Sequence, residues 1–406
     1  MEKAAADPEL RRALRRAAWN ARLAVRRALE RAPLAELARE VREAKRRVLE
    51  NLDYYIEEAR RSLERNGARV HLASTGEDAL EAIASIVGSG KTVVLSKTMT
   101  GEEIGLREHL EKLGNRVYET DLGQLLVQLE AGTPSHIIAP AVHISRRRAA
   151  RLVAEKLGAP VDAEAAPEEI VAAVREKLRS IFTGADVGVT GANAVAADTG
   201  SLVMVENEGN IRLVSGLPPV HIALVGVEKI MPTLLDAVKA AMVQAGYAGL
   251  YPPTYINIVS GPSSTADIEH HRVPGAHGPR ELHVVLLDNG RRRALRDPLL
   301  SEALRCVRCG RCLFECPVWS QAGPAWGGRA YKGPMGLAWT AITESEELAG
   351  ELAYACTQCR ACDAACPMEI PLTRIIHGLR ARHASKLLGW NPRPSLPAPG
   401  AAPDSQ

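Results

Sequence analysis

The sequence predicts an α/β protein with a helical arm before it and a small helical, cysteine-bearing module after it. Short β-branched runs alternate with helical periods from about residue 66 to 290, helical periodicity alone precedes them, and all eight cysteines lie beyond residue 300 in two groups of four. The 406 residues give length for two or three domains of roughly 100 to 200 residues each, so a sizeable core needs no disulfide staples.

In residues 1–65, Leu10, Leu14, Trp19, Leu23, Val25 and Leu29 recur among arginines and glutamates at helical spacing, and Pro33 breaks the run. The arm has a basic face. It reads either as a docking surface for a partner or acidic lipids, or as the solvated side of a helical hairpin laced by i,i+4 pairs. In residues 66–290 the runs TVVLS (92–96), HIIAP (136–140), VGVTG (187–191), SLVMV (201–205), HIALVG (221–226) and ELHVVLL (281–287) lack strict alternation, as strands covered on both faces do. Helices are expected over EEIGLREHLEKLG and from Pro167 to Ile181, which gives a largely parallel sheet. VGVTGANAVAADTGSLVMVENEGN leaves no room for a helical crossover and predicts a hairpin-like insertion. Residues 291–388 form the cysteine module, and the proline-rich tail, 389–406, is expected to be disordered.

Several classes are excluded early. The start, MEKAAADPELRRALRR, has no apolar run resembling a signal-peptide core. The best apolar stretch, HIALVGVEKIMPTLLDAV, carries Glu228, Lys229 and Asp236, so no membrane span is expected, although peripheral contact stays open. A net charge of +3 indicates no nucleic-acid partner. Cysteines held back for the last quarter of the chain fit reduced thiolates in a cytoplasmic protein better than a disulfide framework.

Cys306-x2-Cys309-x2-Cys312-x3-Cys316-Pro317 is repeated as Cys356-x2-Cys359-x2-Cys362-x3-Cys366-Pro367. Three thiolates at two-residue gaps curl around one cubane, while the fourth, followed by proline, departs towards another. The expected cofactors are two [4Fe-4S] clusters with crossed ligation: Cys306, Cys309, Cys312 and Cys366 on one, Cys356, Cys359, Cys362 and Cys316 on the other. Paired zinc sites also use C-x2-C pairs, but have no use for the third cysteine or the trailing Cys-Pro. Two cubanes make a relay that divides a two-electron oxidation into single steps. The spacing between the motifs exceeds what a minimal two-cluster ferredoxin needs, which points to a helical ferredoxin-like module.

SKTMTGEEIGLREHLEKLG, ETDLGQLLVQL, PSHIIAPAVH, GVTGANAVAADTGSLVMVENEGNIRLV, PPVHIALVGVEKIMPT, SGPSSTADIE, HGPRELHVVLLDNGR and both cysteine motifs follow in order from roughly residue 50 to 380. This series resembles lactate-utilisation protein B, the iron–sulfur member of the LUD-domain proteins. The resemblance implies a NagB/RpiA/CoA-transferase-like α/β domain joined to a ferredoxin module. It also implies two partners, a heterodisulfide-reductase-like cysteine-rich subunit and a second LUD protein, in oxidation of L-lactate to pyruvate. Family members usually continue beyond the second motif, whereas this chain passes into its proline-rich tail soon after Leu388.

Polar groups following predicted strands are the substrate-site candidates. Lys97, after TVVL, is placed to pair with a carboxylate, although Thr98 or Thr100 followed by Glu102 and Glu103 also reads as a helix cap. Asn193, Asp198 and Thr199 bracket a turn whose amides are free to face an anion. Glu208 reads as part of a type I′ hairpin turn or as a base facing the same cleft. Asp267 and Glu269 fall in a loop expected to lead into a helix N-terminus, with His270, His271 and His277 behind; His277 lies in the HGP element. His136, His143 and His221 read as satisfied strand-border residues. There is no catalytic triad, Walker loop or full G-x-G-x-x-G, so no nucleotide is indicated. Three functions remain open: an electron-transfer subunit, a CoA-transferase-like transferase or hydrolase with structural or sensing clusters, and a non-catalytic docking protein.

Overall fold

The computed structural model describes residues 1–389, so the tail expected to be disordered lies, beyond Gly389, outside the described residues. The chain begins with helices α1 (Glu2–Ala6), α2 (Pro8–Arg31), α3 (Leu34–Glu50) and α4 (Leu52–Arg65). Asp7 caps α2 by accepting from the Glu9 and Leu10 amides, and Pro33 stands between α2 and α3. The strands follow: β1 (Arg69–Ala73), β2 (Thr92–Leu95), β3 (Arg116–Glu119), β4 (Val187–Thr190), β5 (Ala194–Ala196), β6 (Ser201–Glu206), β7 (Val220–Gly226), β8 (Ile230–Met231), β9 (Tyr255–Val259), β10 (Ser264–Ile268), β11 (His271–Pro274) and β12 (Glu281–Leu287).

Six of them make one sheet in the order β1-β12-β7-β4-β2-β3, with every pairing parallel. The central strands are buried almost throughout, and this is why their sequences are continuous apolar runs. The edge strands RVHLA and RVYE alternate with polar residues and left no such trace. A second sheet, β8-β5-β6-β9, holds the expected insertion, an antiparallel β5–β6 hairpin. Its turn needs Gly200, which has φ +62° and lies where a Cβ would meet the Ser62 carbonyl of α4. Gly200→Ala should destabilise the protein by about 1–3 kcal/mol, read as a fall in the unfolding midpoint.

Four expectations are corrected. His136–Pro140 is not a strand: the His136 Nδ1 accepts from the Ile138 and Ala139 amides and Ser135 N donates to Pro140 O, so local bonds replace a ladder. EEIGLREHLEKLG is two helices, Met99–Ile104 and Leu106–Lys112, divided at Gly105 (φ +69°). Glu208 does not sit in a hairpin turn; Asn207–Gly209 lead into a helix, Asn210–Gly216, whose Ile211 and Arg212 amides donate to the Glu206 carboxylate. Asp267 and Glu269 do not approach a helix N-terminus, because this segment is the exposed β10–β11 hairpin, turned by left-handed Glu269 and His270.

The arm is a strut. Leu14, Ala18, Val25 and Ala28 of α2 and Leu34, Ala38, Val41 and Ala44 of α3 are buried, largely in one core with the helix Leu234–Tyr247 and the cysteine module. Burying side chains such as Leu14 and Leu34 contributes about 1.5–3 kcal/mol each. The outer faces keep their ion pairs, for instance Arg60 with Glu57 and Glu64. Arg22 donates to Phe314 O at 2.8 Å and Arg42 to Pro367 O at 2.7 Å, so the arm touches the end of both cysteine motifs. Among the described residues no helix is long and apolar enough to cross a membrane.

Candidate functional site: two cysteine cages and an adjoining cavity

Each cysteine motif folds the same way. A 3-10 turn (Ser301–Arg305, Ala353–Ala355) leads in, and left-handed residues (Arg308 and Gly310, Gln358 and Arg360) curl the chain. A short helix (Arg311–Glu315, Ala361–Ala365) then delivers an extended Cys316 or Cys366 ahead of its proline. Amides point at sulfur, from Arg308 N to Cys306 Sγ and from Gln358 N to Cys356 Sγ, both 3.4 Å. The two short helices pack together, so the fourth cysteine of each motif crosses to the other. Cys306, Cys309, Cys312 and Cys366 line one small void with Met335, Met368, Ile370 and Leu372. Cys316, Cys356, Cys359 and Cys362 line a second with Val318, Trp326 and Ile376.

Four thiols around an apolar void suit a cubane. Burial pushes the Cys316 and Cys362 thiols up to about 12 and Cys366 to about 11, with neighbouring sulfurs adding to it, so bound metal must displace the protons. The cages differ in exposure. Cys309 and Cys312 are buried, whereas Cys359 is exposed together with Thr357, Gln358 and Arg360.

The inner motif is seated on the α/β domain. Gly310 has φ +76° and a Cβ there would come 2.5 Å from the His136 ring. His136 Nε2 lies 3.0 Å from Gly310 O, and the ring stacks on Phe314 at 4.0 Å between centroids. Since Nδ1 accepts, Nε2 carries the proton; burial lowers the imidazole to about 3 and keeps it neutral. Trp319 Nε1 donates to Ser135 O at 2.9 Å from the same side.

Next to this motif lies a cavity of about 330 Å³ at the carboxyl ends of β2, β3, β4 and β7. From β2 the chain steps to β3 on one side, while β4 lies on the other, so the cavity occupies the topological switch point of the sheet. Lys97, Asn193 and Glu208 line it, as do Asp121, Lys229, Gln244 and Arg308. Lys97 Nζ donates to Ile138 O at 2.7 Å and its pKa is lowered by burial, against the pull of Asp121 and Glu208. Thr98 caps the following helix by accepting from Gly101 N, which is the cap read from that segment. Asn193 bonds to Gln244 at 2.6 Å. Glu208, exposed at the mouth, accepts from Leu122 N; partial loss of water and the Asp121 charge raise it to about 7.

The other candidates are elsewhere. Asp198 and Thr199 sit at the far end of the β5–β6 hairpin, where their carbonyls accept from Ser62 and Asn66. Asp267, Glu269 and His277 are exposed on or beyond the β10–β11 hairpin. His136 is a satisfied core residue, whereas His221 is a core residue bonded to Thr190 through Nε2 with its buried Nδ1 left without a partner.

Arg308 and Lys229 were not among the sequence candidates. Arg308 read as a spacer between cysteines and Lys229 as an interruption of an apolar stretch. Together with Lys45 they surround Glu228: Arg308 donates to its carboxylate at 3.0 Å, Arg291 does so too, and Lys45 Nζ donates to its main-chain oxygen at 2.6 Å. Burial pushes Glu228 up, but the charges of Arg291, Arg308 and Lys229 hold it down at about 2. Arg291 also pairs with Glu103, which accepts from Tyr331 OH at 2.9 Å, so this network joins the two domains. A small void of about 30 Å³ lined by Lys45, Lys229, Cys306 and Arg308 shares Lys229 and Arg308 with the cavity and Cys306 with the inner cage.

The fold and the two cages define an iron–sulfur protein built on a LUD domain. Residues 56–287 match the LUD domain model and residues 302–370 the 4Fe-4S dicluster domain model. The chain is 38% identical to lactate utilization protein B of Oceanobacillus iheyensis, over 81% of this chain and 67% of that one. To lactate utilization protein B of Bacillus subtilis it is 37% identical, over 85% and 70%. To the uncharacterized electron transport protein YkgF of Escherichia coli it is 36% identical, over 81% and 68%. The chain belongs to the lactate utilization protein B family, spanning about two thirds of the length of these relatives.

Proposed function

We propose that the chain is the iron–sulfur electron-transfer component of an L-lactate-oxidising complex of the cytoplasm. Oxidation of lactate to pyruvate releases two electrons and two protons, and two one-electron clusters carry the electrons away singly. In this reading Cys306, Cys309, Cys312 and Cys366 hold the inner [4Fe-4S] cluster, and Cys316, Cys356, Cys359 and Cys362 the outer one. The observation that carries it is their placement: the inner cage adjoins the polar cavity, while the outer cage opens to solvent at Cys359. His136, Phe314 and Trp319 keep the inner motif in register and exclude water from it. The partners proposed are a heterodisulfide-reductase-like cysteine-rich subunit and a second LUD protein; no nucleic acid is involved.

A second reading, a CoA-transferase-like transferase or hydrolase, is favoured by one feature, the Glu208 carboxyl poised near 7 at the cavity mouth. One experiment separates the two. Under anaerobic conditions L-lactate should reduce the clusters, followed by EPR, when both partner subunits are present and not without them. Turnover of an acyl-CoA by this chain alone, with clusters that stay oxidised, would favour the transferase.

A further inference from the structure

The buried network around Glu228 is unbalanced. Lys45, Lys229, Arg291 and Arg308 bring four cations to Glu103 and Glu228, two carboxylates. Arg308 is 5% exposed, lines the cavity, and has Nε and Nη1 without partners. Lys229 lines the same wall, where its Nζ donates one bond, to Ala192 O at 2.8 Å. Burying cations is costly, and an anion in the cavity that Lys229 and Arg308 line offsets part of that cost. The opposite wall differs: Lys97 there is offset by Asp121 and Glu208. The cavity has the size of a small-molecule site and room for many waters, so a compact organic anion enters without rearrangement.

Arg308 also belongs to the inner cysteine motif. Its amide donates to Cys306 Sγ at 3.4 Å while its guanidinium lies over the Trp339 ring at 3.4 Å, so the residue is fixed between cavity and cage. We infer that the cavity is a redox-linked anion site, in which Lys229 and Arg308 bind a carboxylate or phosphate group and the charge of that group is felt by the inner cluster. This deepens the proposed function and rests on it for the cluster. An anion beside the cluster opposes addition of an electron, so occupancy shifts the inner cluster's reduction potential to more negative values. Linkage makes the effect reciprocal: one-electron reduction of the cluster weakens anion binding. No bond is made or broken. The consequence is directional, since an anionic ligand is bound more tightly while the cluster is oxidised and less tightly once it has taken an electron.

The test uses the anaerobic holoprotein with three probes, oxalate, L-lactate and inorganic phosphate, measured by calorimetry in oxidised and dithionite-reduced states. EPR-monitored redox titrations accompany it. Oxalate or phosphate should bind the oxidised protein, and reduction should weaken binding by roughly fivefold or more, the low end of ordinary coupling. Lys229→Gln should weaken binding at least tenfold while both cluster signals persist, and it avoids the folding risk of replacing Arg308. The inner-cluster potential should move negative with the probe in the parent protein and stay put in the variant. Preference for oxalate over phosphate marks the site as one for carboxylates, and the reverse marks it as one for phosphates. Binding of oxalate without L-lactate keeps the anion site and removes lactate as its occupant. Absence of binding by all three probes to intact oxidised holoprotein overturns the inference, because the cations then serve only the cluster's own negative charge. Equal affinity in both redox states overturns the coupling.

Discussion

Replacing Cys366 with serine removes the inner cluster and leaves the outer one, although Cys366 lies in the second motif. Cys366 lines the void with Cys306, Cys309 and Cys312, whereas its motif partners Cys356, Cys359 and Cys362 line the other with Cys316. Iron should fall from about eight to about four per chain. The surviving EPR signal should be the one relaxed by a soluble paramagnetic chelate, because its cage carries the exposed Cys359. Cys316→Ser should give the mirror result, leaving a cluster that the chelate does not reach. Uncrossed ligation would exchange the two outcomes.

The second large effect is expected at Glu228. Its side chain is 1% exposed and bonds to Arg291 and Arg308, and its main-chain oxygen accepts from Lys45. Glu228→Gln keeps the shape and removes the charge, leaving buried guanidinium groups under-compensated at a cost of about 3–5 kcal/mol. Chemical denaturation of the holoprotein measures it. The same residue contributes to acid sensitivity. Its folded pKa of about 2 lies below the ordinary 4.5, so its stabilisation is present above 4.5 and lost as pH falls towards 2. In Glu228→Gln that component of the acid dependence should disappear. An unchanged denaturation midpoint would mean that the network does not hold the two domains together.

How far the sequence disclosed these features depends on what each signal encodes. Duplicated cysteine spacing is a local geometric code, so the division into two crossed sets was readable from it. Continuous apolar runs disclosed the central strands, because both faces of those strands are covered. The edge strands β1 and β3 lie half in solvent and carry too few apolar positions to stand out. HIIAP imitated a strand, yet His136 is spent on holding its own loop and the Gly310 carbonyl, a tertiary role that periodicity does not register. In the cavity, Lys97, Asn193 and Glu208 were legible because they follow strands or their hairpin. Arg308 and Lys229 were not, since their importance comes from Glu228 and from a motif about eighty residues further along the chain. Asp198, Thr199, Asp267, Glu269 and His277 were grouped with the site by sequence context, and the fold carries them to its surface.

The central claim is that two cubanes in crossed cages form a relay from the cavity to the surface. Its most direct test is anaerobic purification followed by an iron, sulfide and zinc count and the EPR spectrum after dithionite reduction. The expected result is about eight iron per chain with a spin-coupled signal from two neighbouring clusters. Zinc without iron, or iron with no magnetic interaction between the clusters, would contradict it.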